Sequence, residues 1–365
     1  MTDKIMADGR IKILQITGNT NLGGVASCLL NYMEHCDLSR YRFDFAAYSP
    51  SPFDDKVKAT DAQSQIFYIP RLDKDPLKAA EELKKFCLEG GYAAVHSHMT
   101  ILSAIALEPA AKCGVPVRIC HAHSSFNKNS DRYLIKKFMR PFAGRYATHL
   151  AACSRSAAES VFKKQADKAF ILPNAIDTAR FSCSESEHAE AKKACSLTKT
   201  TALFTGRFAK QKNLGLLIRA FAEAKREDMQ LVLLGDGPEK KNLEKLCGEL
   251  NLQGKVIFAP PCKPDIWYKA ADVFCLPSLY EGMSVSALEA QASGLKCLFS
   301  DAVARETDVT GGCEFLANDI NAWSERLRGS FERDYFAKDK VISAGYDISR
   351  EARRLTDYYD DIIGV

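Results

Sequence analysis

The sequence predicts an α/β chain built from two doubly wound, Rossmann-like parallel-sheet domains, each sheet covered by helices on both faces. Three observations carry that expectation. At 365 residues the chain exceeds what one hydrophobic core usually supports. Short β-branched and apolar runs alternate with segments of helical period along nearly its whole length. A small, polar stretch at 182–199 (SCSESEHAEAKKACSLTK) interrupts the alternation near the middle and reads as a domain boundary. The expected units are residues 1–185 and 186–346, followed by a terminal helix over 347–365.

Taken in order, the first half places strands at 11–17, 43–48, 65–69, 93–98, 117–123, 150–154 and 169–173. Helical patterns between them fall at 24–36, 76–89, 101–113, 130–144 and 155–164. The second half repeats the plan, with strands at 202–207, 231–235, 256–259, 273–277 and 297–300. Its helices are expected at 213–226, 238–250, 284–293, 319–334 and 347–362. Sheets of this kind bind ligands at the carboxyl ends of their strands, so two of them suggest a cleft site.

Composition narrows the function. The chain is 46% hydrophobic and 26% charged, ordinary for a soluble globular protein, and holds no run of ~18 uncharged apolar residues that could span a bilayer. The opening MTDKIMADGRIKILQIT carries acids early and passes straight into a strand pattern, unlike a secretory signal. Thirteen cysteines without a C-x-x-C pair favour reduced thiols in a cytoplasmic protein, and no Cys/His cluster has metal-ligand spacing. The net charge of +4 comes entirely from the first half, where 112–168 carry 12 basic and 3 acidic residues. Nucleic acid is not the expected partner, because aromatic residues are not interleaved with that charge.

Three segments carry chemistry. The first expected strand is not followed by G-x-G-x-x-G, which weakens a nicotinamide-dependent dehydrogenase; the sequence there is TGNTNLGGVASCLL. Gly23 and Gly24 in it open a helix, letting backbone approach an anion, or simply form a tight turn. In VFCLPSLYEGMSVSALEAQA (273–292), a buried strand leads through Glu281 to a helix starting near Ser284. The free N–H groups of Gly282, Met283, Ser284 and Val285 offer a phosphate site, with Glu281 before it and Glu289 two turns beyond. The two carboxylates could each hold a polyhydroxyl group on either side of a diphosphate, or merely favour the helix dipole and face solvent. Finally, GRFAKQKN (206–213) puts Arg207 and Lys212 at the carboxyl edge of the same sheet. Arg can fork two phosphate oxygens while Lys acts as a point charge; alone, such a loop would be a solvated turn.

These residues resemble those of a known family. EGMSVSALE (281–289) is similar to the E-x7-E motif of the retaining, GT-B-fold glycosyltransferases of family 4, and GRFAKQKN to their G-R-x-x-x-x-K-N segment. LPNAIDTARF (172–181), LLGDGPEKKNLE (233–244), ADVFCLPS (271–278) and the Gly-Gly loop follow in the family's order, so the resemblance covers essentially the whole chain. HAHSS and SDAVARETDVT look most like enzymes of capsular and exopolysaccharide synthesis. The resemblance implies a GT-B fold whose terminal helix crosses back to the first domain. It implies that Glu289 holds the ribose of a nucleotide, UDP by expectation, and that Glu281 with the Gly282 and Met283 backbone holds the donor sugar. Arg207 and Lys212 would take the diphosphate, with Gly24 approaching it from the facing domain. His123, in the family's T-x-H position, would line donor sugar and acceptor, with His98 a weaker candidate.

Fixed positive charge and a helix N-terminus can stabilise a diphosphate leaving group without a metal. No strand-end D-x-D is present; Asp73-Lys-Asp75 lies in a proline-flanked loop. No cofactor and no metal are therefore expected, and the nucleotide sugar is a substrate. A two-carboxylate glycosidase is disfavoured because both Glu residues are better accounted for as donor binders. The basic stretch 128–145 places Leu134, Phe138 and Phe142 on one helical side among Lys136, Lys137 and Arg140. That pattern suits peripheral contact with an anionic membrane and a glycan or lipid-linked acceptor, or a helix packing its apolar stripe on the sheet. The expected activity is a glycosyltransferase at the cytoplasmic side of the membrane. A nucleotide-sugar 2-epimerase of the same fold and a non-catalytic partner subunit are the alternatives.

Overall fold

The computed structural model describes residues 9–20, 23–124 and 133–365. Its contacts divide the chain into two compact units, one formed by Met1–Ala175 with Ile348–Val365, the other by Ile176–Asp347. The first contains a seven-stranded sheet: β1 Ile11–Gly18, β2 Tyr41–Ala47, β3 Ile66–Tyr68, β4 Ala94–Ser97, β5 Val117–Ala122, β6 His149–Ala152 and β7 Ala169–Ile171. All its ladders are parallel, in the order β3-β2-β1-β4-β5-β6-β7.

Both faces of this sheet are covered, so its strands are buried runs rather than alternating ones. One face packs Ile13, Phe43 and Ala94 against the helix Gly24–His35 and the terminal helix Ile348–Ile363. The other packs Leu14, Val95 and Cys120 against Leu83 and Ala157 from two further helices and against Leu107, which joins two short ones. The terminal helix thus supplies Ile348, Ala352, Leu355 and Tyr359 to the first unit's core.

The second unit has six parallel strands: β8 Thr200–Thr205, β9 Met229–Leu234, β10 Val256–Ala259, β11 Val273–Leu276, β12 Lys296–Ser300 and β13 Glu314–Leu316. They run in the order β10-β9-β8-β11-β12-β13. Every strand expected from the periodicity is present, and β13 adds one. Its three residues are half-buried at a sheet edge, too short to carry a period.

Two boundaries differ from expectation. The units meet at Ala175/Ile176 rather than at 185, because Thr178 Oγ1 donates to Asp347 Oδ2 and Ile176 N–H to Tyr346 O, drawing this segment into the second unit. The polar stretch 182–199 is no linker: it forms the helix Glu185–Ala194 of that unit. A capping box of Ser184 and Glu187 starts it, Ala191 is buried, and Lys192 Nζ donates to Asp272 Oδ2 at 2.7 Å. Charged composition hid a helix in which Glu187 pairs with Lys269 and Lys192 with Asp272. The helix expected over 319–334 stops early, at Ile320–Leu327, and a separate helix follows it at Ala337–Ser343.

Candidate active site

In a doubly wound sheet the helices on either side of the order reversal leave a crevice at the strand ends. The reversal falls between β1 and β4 in the first unit and between β8 and β11 in the second. In the second unit Arg207 and Lys212 follow β8, and Glu281 and Glu289 follow β11. In the first, Gly23 and Gly24 follow β1, His98 follows β4 and His123 follows β5.

The loop after β8 is held by backbone packing that requires glycine. A Cβ on Gly235 would lie 2.0 Å from the Gly206 carbonyl oxygen, and one on Gly237 2.5 Å from that of Phe208. Both have left-handed φ, +149° and +155°. Phe208 N–H donates to Asp236 O at 2.8 Å, so the loops after β8 and β9 are laced together with Phe208 buried beneath. Arg207 is left exposed and has no acidic partner among the described residues.

Further along the same loop, three contacts join it to the segment after β11. Leu279 N–H donates to Gln211 O at 2.8 Å, Gln211 Nε2 to Tyr280 O at 2.8 Å, and Lys212 Nζ to Glu281 Oε2 at 2.5 Å. Ser278 Oγ, fully buried, also donates to Glu281 Oε2 at 3.2 Å. The Lys212 and Ser278 bonds, with Gln211 Nε2 at 3.5 Å, converge on Oε2; Oε1 receives none among the described residues. Glu281 is therefore oriented, with one oxygen left for an outside hydroxyl donor.

The helix behind it spans Val285–Ala292, with Ser284 at its N-cap. Ser284 does not cap through its side chain; its hydroxyl pairs with that of Ser286 at 3.0 Å. The N–H groups of Gly282, Met283 and Ser284 meet no backbone acceptor among the described residues, and Gly282 is exposed with open space around it. With Val285, these are the expected anion-binding amides. Glu289, one turn into this helix, accepts from Tyr268 Oη at 2.8 Å, and Tyr268 in turn accepts from Thr205 Oγ1. Burial pushes the Glu289 carboxyl up to about 7, outweighing the Tyr268 hydrogen bond and the Arg180 charge that lower it.

In the first unit, Gly23 is the N-cap of the helix Gly24–His35, and both glycines are exposed. His123 and His98 belong to a larger group: His96, His98 and His121 are buried, and the four rings stack or tilt against one another at centroid distances of 4.0–5.2 Å. Burial alone holds His123 down to about 4; burial with the neighbouring imidazoles adding to it holds His96 down to about 3 and the other two well below the usual histidine range. Reading HSH and HAH one histidine at a time misses this. Histidines two apart face the same way on a strand, and two such pairs on adjacent strands make a cluster. Tyr268, Ser278 and Gln211 carry no such signal, since their partners are distant in the chain.

Asp73 is paired with Arg71, and Asp75 caps the helix Pro76–Gly90. The helix Tyr133–Met139 gives way to a 3₁₀ turn at Arg140–Phe142, where Pro141 removes a backbone donor. Leu134 and Phe138 are 76% and 77% exposed, so they do not pack on the sheet; residues 128–132 of this stretch lie outside the described residues.

Comparisons with known proteins place the chain in a family. Residues 22–180 match the model of Glycosyltransferase Family 4, and residues 185–316 that of Glycosyl transferases group 1. EpsF of Bacillus subtilis (strain 168), named as a glycosyltransferase, is 30% identical, with 97% of this chain and 98% of that protein covered. The UDP-Gal:alpha-D-GlcNAc-diphosphoundecaprenol alpha-1,3-galactosyltransferase of Escherichia coli is 25% identical over the same shares. Anabaena HepE, solved in complex with UDP, superposes with a TM-score of 0.78 at 14% identity, covering 96% of this chain and all of that one. The fold is GT-B, and the chain belongs to the group 1, family 4 glycosyltransferases.

Proposed function

We propose that this glycosyltransferase moves a sugar from a nucleotide sugar, UDP-linked by preference, to a glycan or lipid-linked acceptor in cell-surface polysaccharide synthesis. The observation that carries the proposal is the set of groups at the β8/β11 reversal. It comprises an exposed guanidinium without an acidic partner among the described residues, a helix N-terminus without a side-chain cap, and two carboxyl groups oriented by different partners. The E. coli relative, whose name specifies a UDP-sugar donor and a diphosphoundecaprenol acceptor, supports the substrate class. EpsF and UDP-bound HepE support the same reading.

In the reaction, the bond from the anomeric carbon to the diphosphate breaks and negative charge collects on the leaving oxygen. Arg207, Lys212 and the amides of 282–285 stabilise that charge, so transfer needs no metal and no cofactor. The acceptor hydroxyl attacks from the face the diphosphate leaves, its proton passes to the leaving phosphate, and configuration is retained. Glu289 holds the ribose, while Glu281 Oε1 and His123 hold the sugar and Gly23 and Gly24 admit it.

No helix among the described residues is long and apolar enough to cross a membrane. Leu134 and Phe138, beside exposed Lys137, supply a peripheral contact with an anionic cytoplasmic leaflet instead. The test is thermal stability against a panel of nucleotides and nucleotide sugars, with Glu289→Ala alongside. A ligand at 100 times its Kd stabilises by about 2.7 kcal/mol. One nucleotide sugar should shift the wild type and not the variant; no shift with any ligand overturns the donor site.

A further inference from the structure

The four histidines are linked into one hydrogen-bonded chain whose middle is an amide. Gln15 on β1 donates through Nε2 to Tyr359 Oη at 3.2 Å and accepts through Oε1 from His98 Nε2 at 2.6 Å. Tyr359 Oη lies 2.8 Å from His96 Nδ1, and His96 Nε2 lies 3.1 Å from His121 Nδ1. On the other arm, His98 Nδ1 lies 2.7 Å from His123 Nε2. Both ends are open: His121 Nε2 and His123 Nδ1 are buried with no partner among the described residues.

A neutral imidazole has one donor and one acceptor, so fixing one bond fixes the next. Gln15 Oε1 can only accept, so His98 carries its proton on Nε2. Its bare Nδ1 must then accept from His123 Nε2–H, which leaves His123 Nδ1 bare. Gln15 Nε2 can only donate, so the Tyr359 proton goes to His96 Nδ1. His96 then donates from Nε2 to His121 Nδ1, leaving His121 with an Nε2–H. Turning the amide over would reverse every bond and move all four protons to Nδ1.

We propose that Gln15 is a positioning residue that sets the polarity of this chain, holding all four histidines as Nε2–H tautomers and presenting His123 Nδ1 as a hydrogen-bond acceptor for a hydroxyl group. His121 and His123 both line a cavity of about 20 Å³, room for one water. The hydroxyl at His123 is a sugar hydroxyl on the reading given under Proposed function, and that part of the inference rests on it. A divalent cation is the competing occupant, since His96, His98 and His121 offer nitrogens within 4.8 Å of one another. The hydrogen bonds oppose it. Of the six nitrogens of those rings, five already face a hydrogen-bond partner, and a cation would have to break those pairs.

The test is two-bond 15N–1H correlation on the full-length chain with labelled histidine. In the wild type, all four should show a protonated Nε2 and a bare Nδ1. A protonated Nδ1 on His98 or His123, or one equivalent of zinc in the purified protein, overturns the proposal. Gln15→Leu should turn His98 and His123 into tautomer mixtures; a pure Nε2–H form in that variant also overturns it. Tyr359→Phe cuts one arm only, so His96 and His121 should become mixed while His98 and His123 stay pure. Transfer assays separate the two readings. If Gln15→Leu scrambles the tautomers and lowers kcat at least tenfold with donor KM little changed, both stand. If the tautomers scramble and kcat is unchanged, Gln15 keeps its role and His123 loses its place at the sugar.

Discussion

Glu289 ties the donor site to a measurable stability. Its carboxyl is raised from 4.5 to about 7 by burial, so the folded chain binds this proton more tightly than the unfolded chain does. The proton therefore stabilises the fold fully below pH 4.5, and that contribution is gone once pH has risen through 7. At about 1.4 kcal/mol for each pH unit between those two values, the loss is about 3 kcal/mol. Glu289→Gln keeps an acceptor for Tyr268 Oη but cannot ionise, so it escapes the loss. The variant should gain about 3 kcal/mol on the wild type at pH 8 relative to the same comparison near pH 4.5. Any fixed effect of the amide cancels in that difference. Both tryptophans, Trp267 and Trp323, lie in the second unit, so their fluorescence during urea unfolding follows this unit alone. For a unit of this size the difference amounts to about 6–12 °C in Tm. A wild type and variant separated by the same free energy at both pH values would refute a buried, neutral Glu289.

Three further outcomes follow from the same geometry, and a fourth from the exposed apolar pair. Arg207→Ala should leave stability within about 0.5 kcal/mol, because the side chain is exposed without an acidic partner among the described residues, yet weaken nucleotide-sugar binding roughly tenfold to hundredfold by calorimetry. Lys212→Met and Glu281→Gln should be non-additive in a double-mutant cycle on stability, with about 0.5–3 kcal/mol of coupling, since Lys212 Nζ sits 2.5 Å from Glu281 Oε2; additive effects would mean the pair does not form in solution. Transfer should continue in EDTA at an unchanged rate, and loss of turnover restored by magnesium or manganese would defeat the metal-free mechanism. Leu134→Ser with Phe138→Ser should reduce sedimentation with anionic vesicles while transfer to a soluble acceptor persists.

The features legible in the sequence are those written in short stretches of chain. The 273–277 strand, the glycine-bearing loop and the helix at 284–293 follow one another within twenty residues, so local period and turn chemistry place Glu281 and Glu289 around a helix N-terminus. The alternation of strand and helix determined two parallel sheets, because each buried strand needs a crossover helix to reach its parallel neighbour. Residues 182–199 misled for a related reason: their charges look like solvated linker until Lys192 is found paired with Asp272 and Glu187 with Lys269, some eighty residues away.

Tertiary structure decided what the named side chains can do. Glu289 is raised because burial outweighs its Tyr268 hydrogen bond, and Glu281 has one open oxygen because Lys212, 69 positions earlier, takes the other. Gln15 and Tyr359 are separated by 344 positions, and only their meeting beside the histidines gives those rings one direction of hydrogen bonding. The sequence determined which chemical groups stand at the strand ends. Burial and long-range pairing, which depend on parts of the chain no local pattern connects, decided their charge and tautomer.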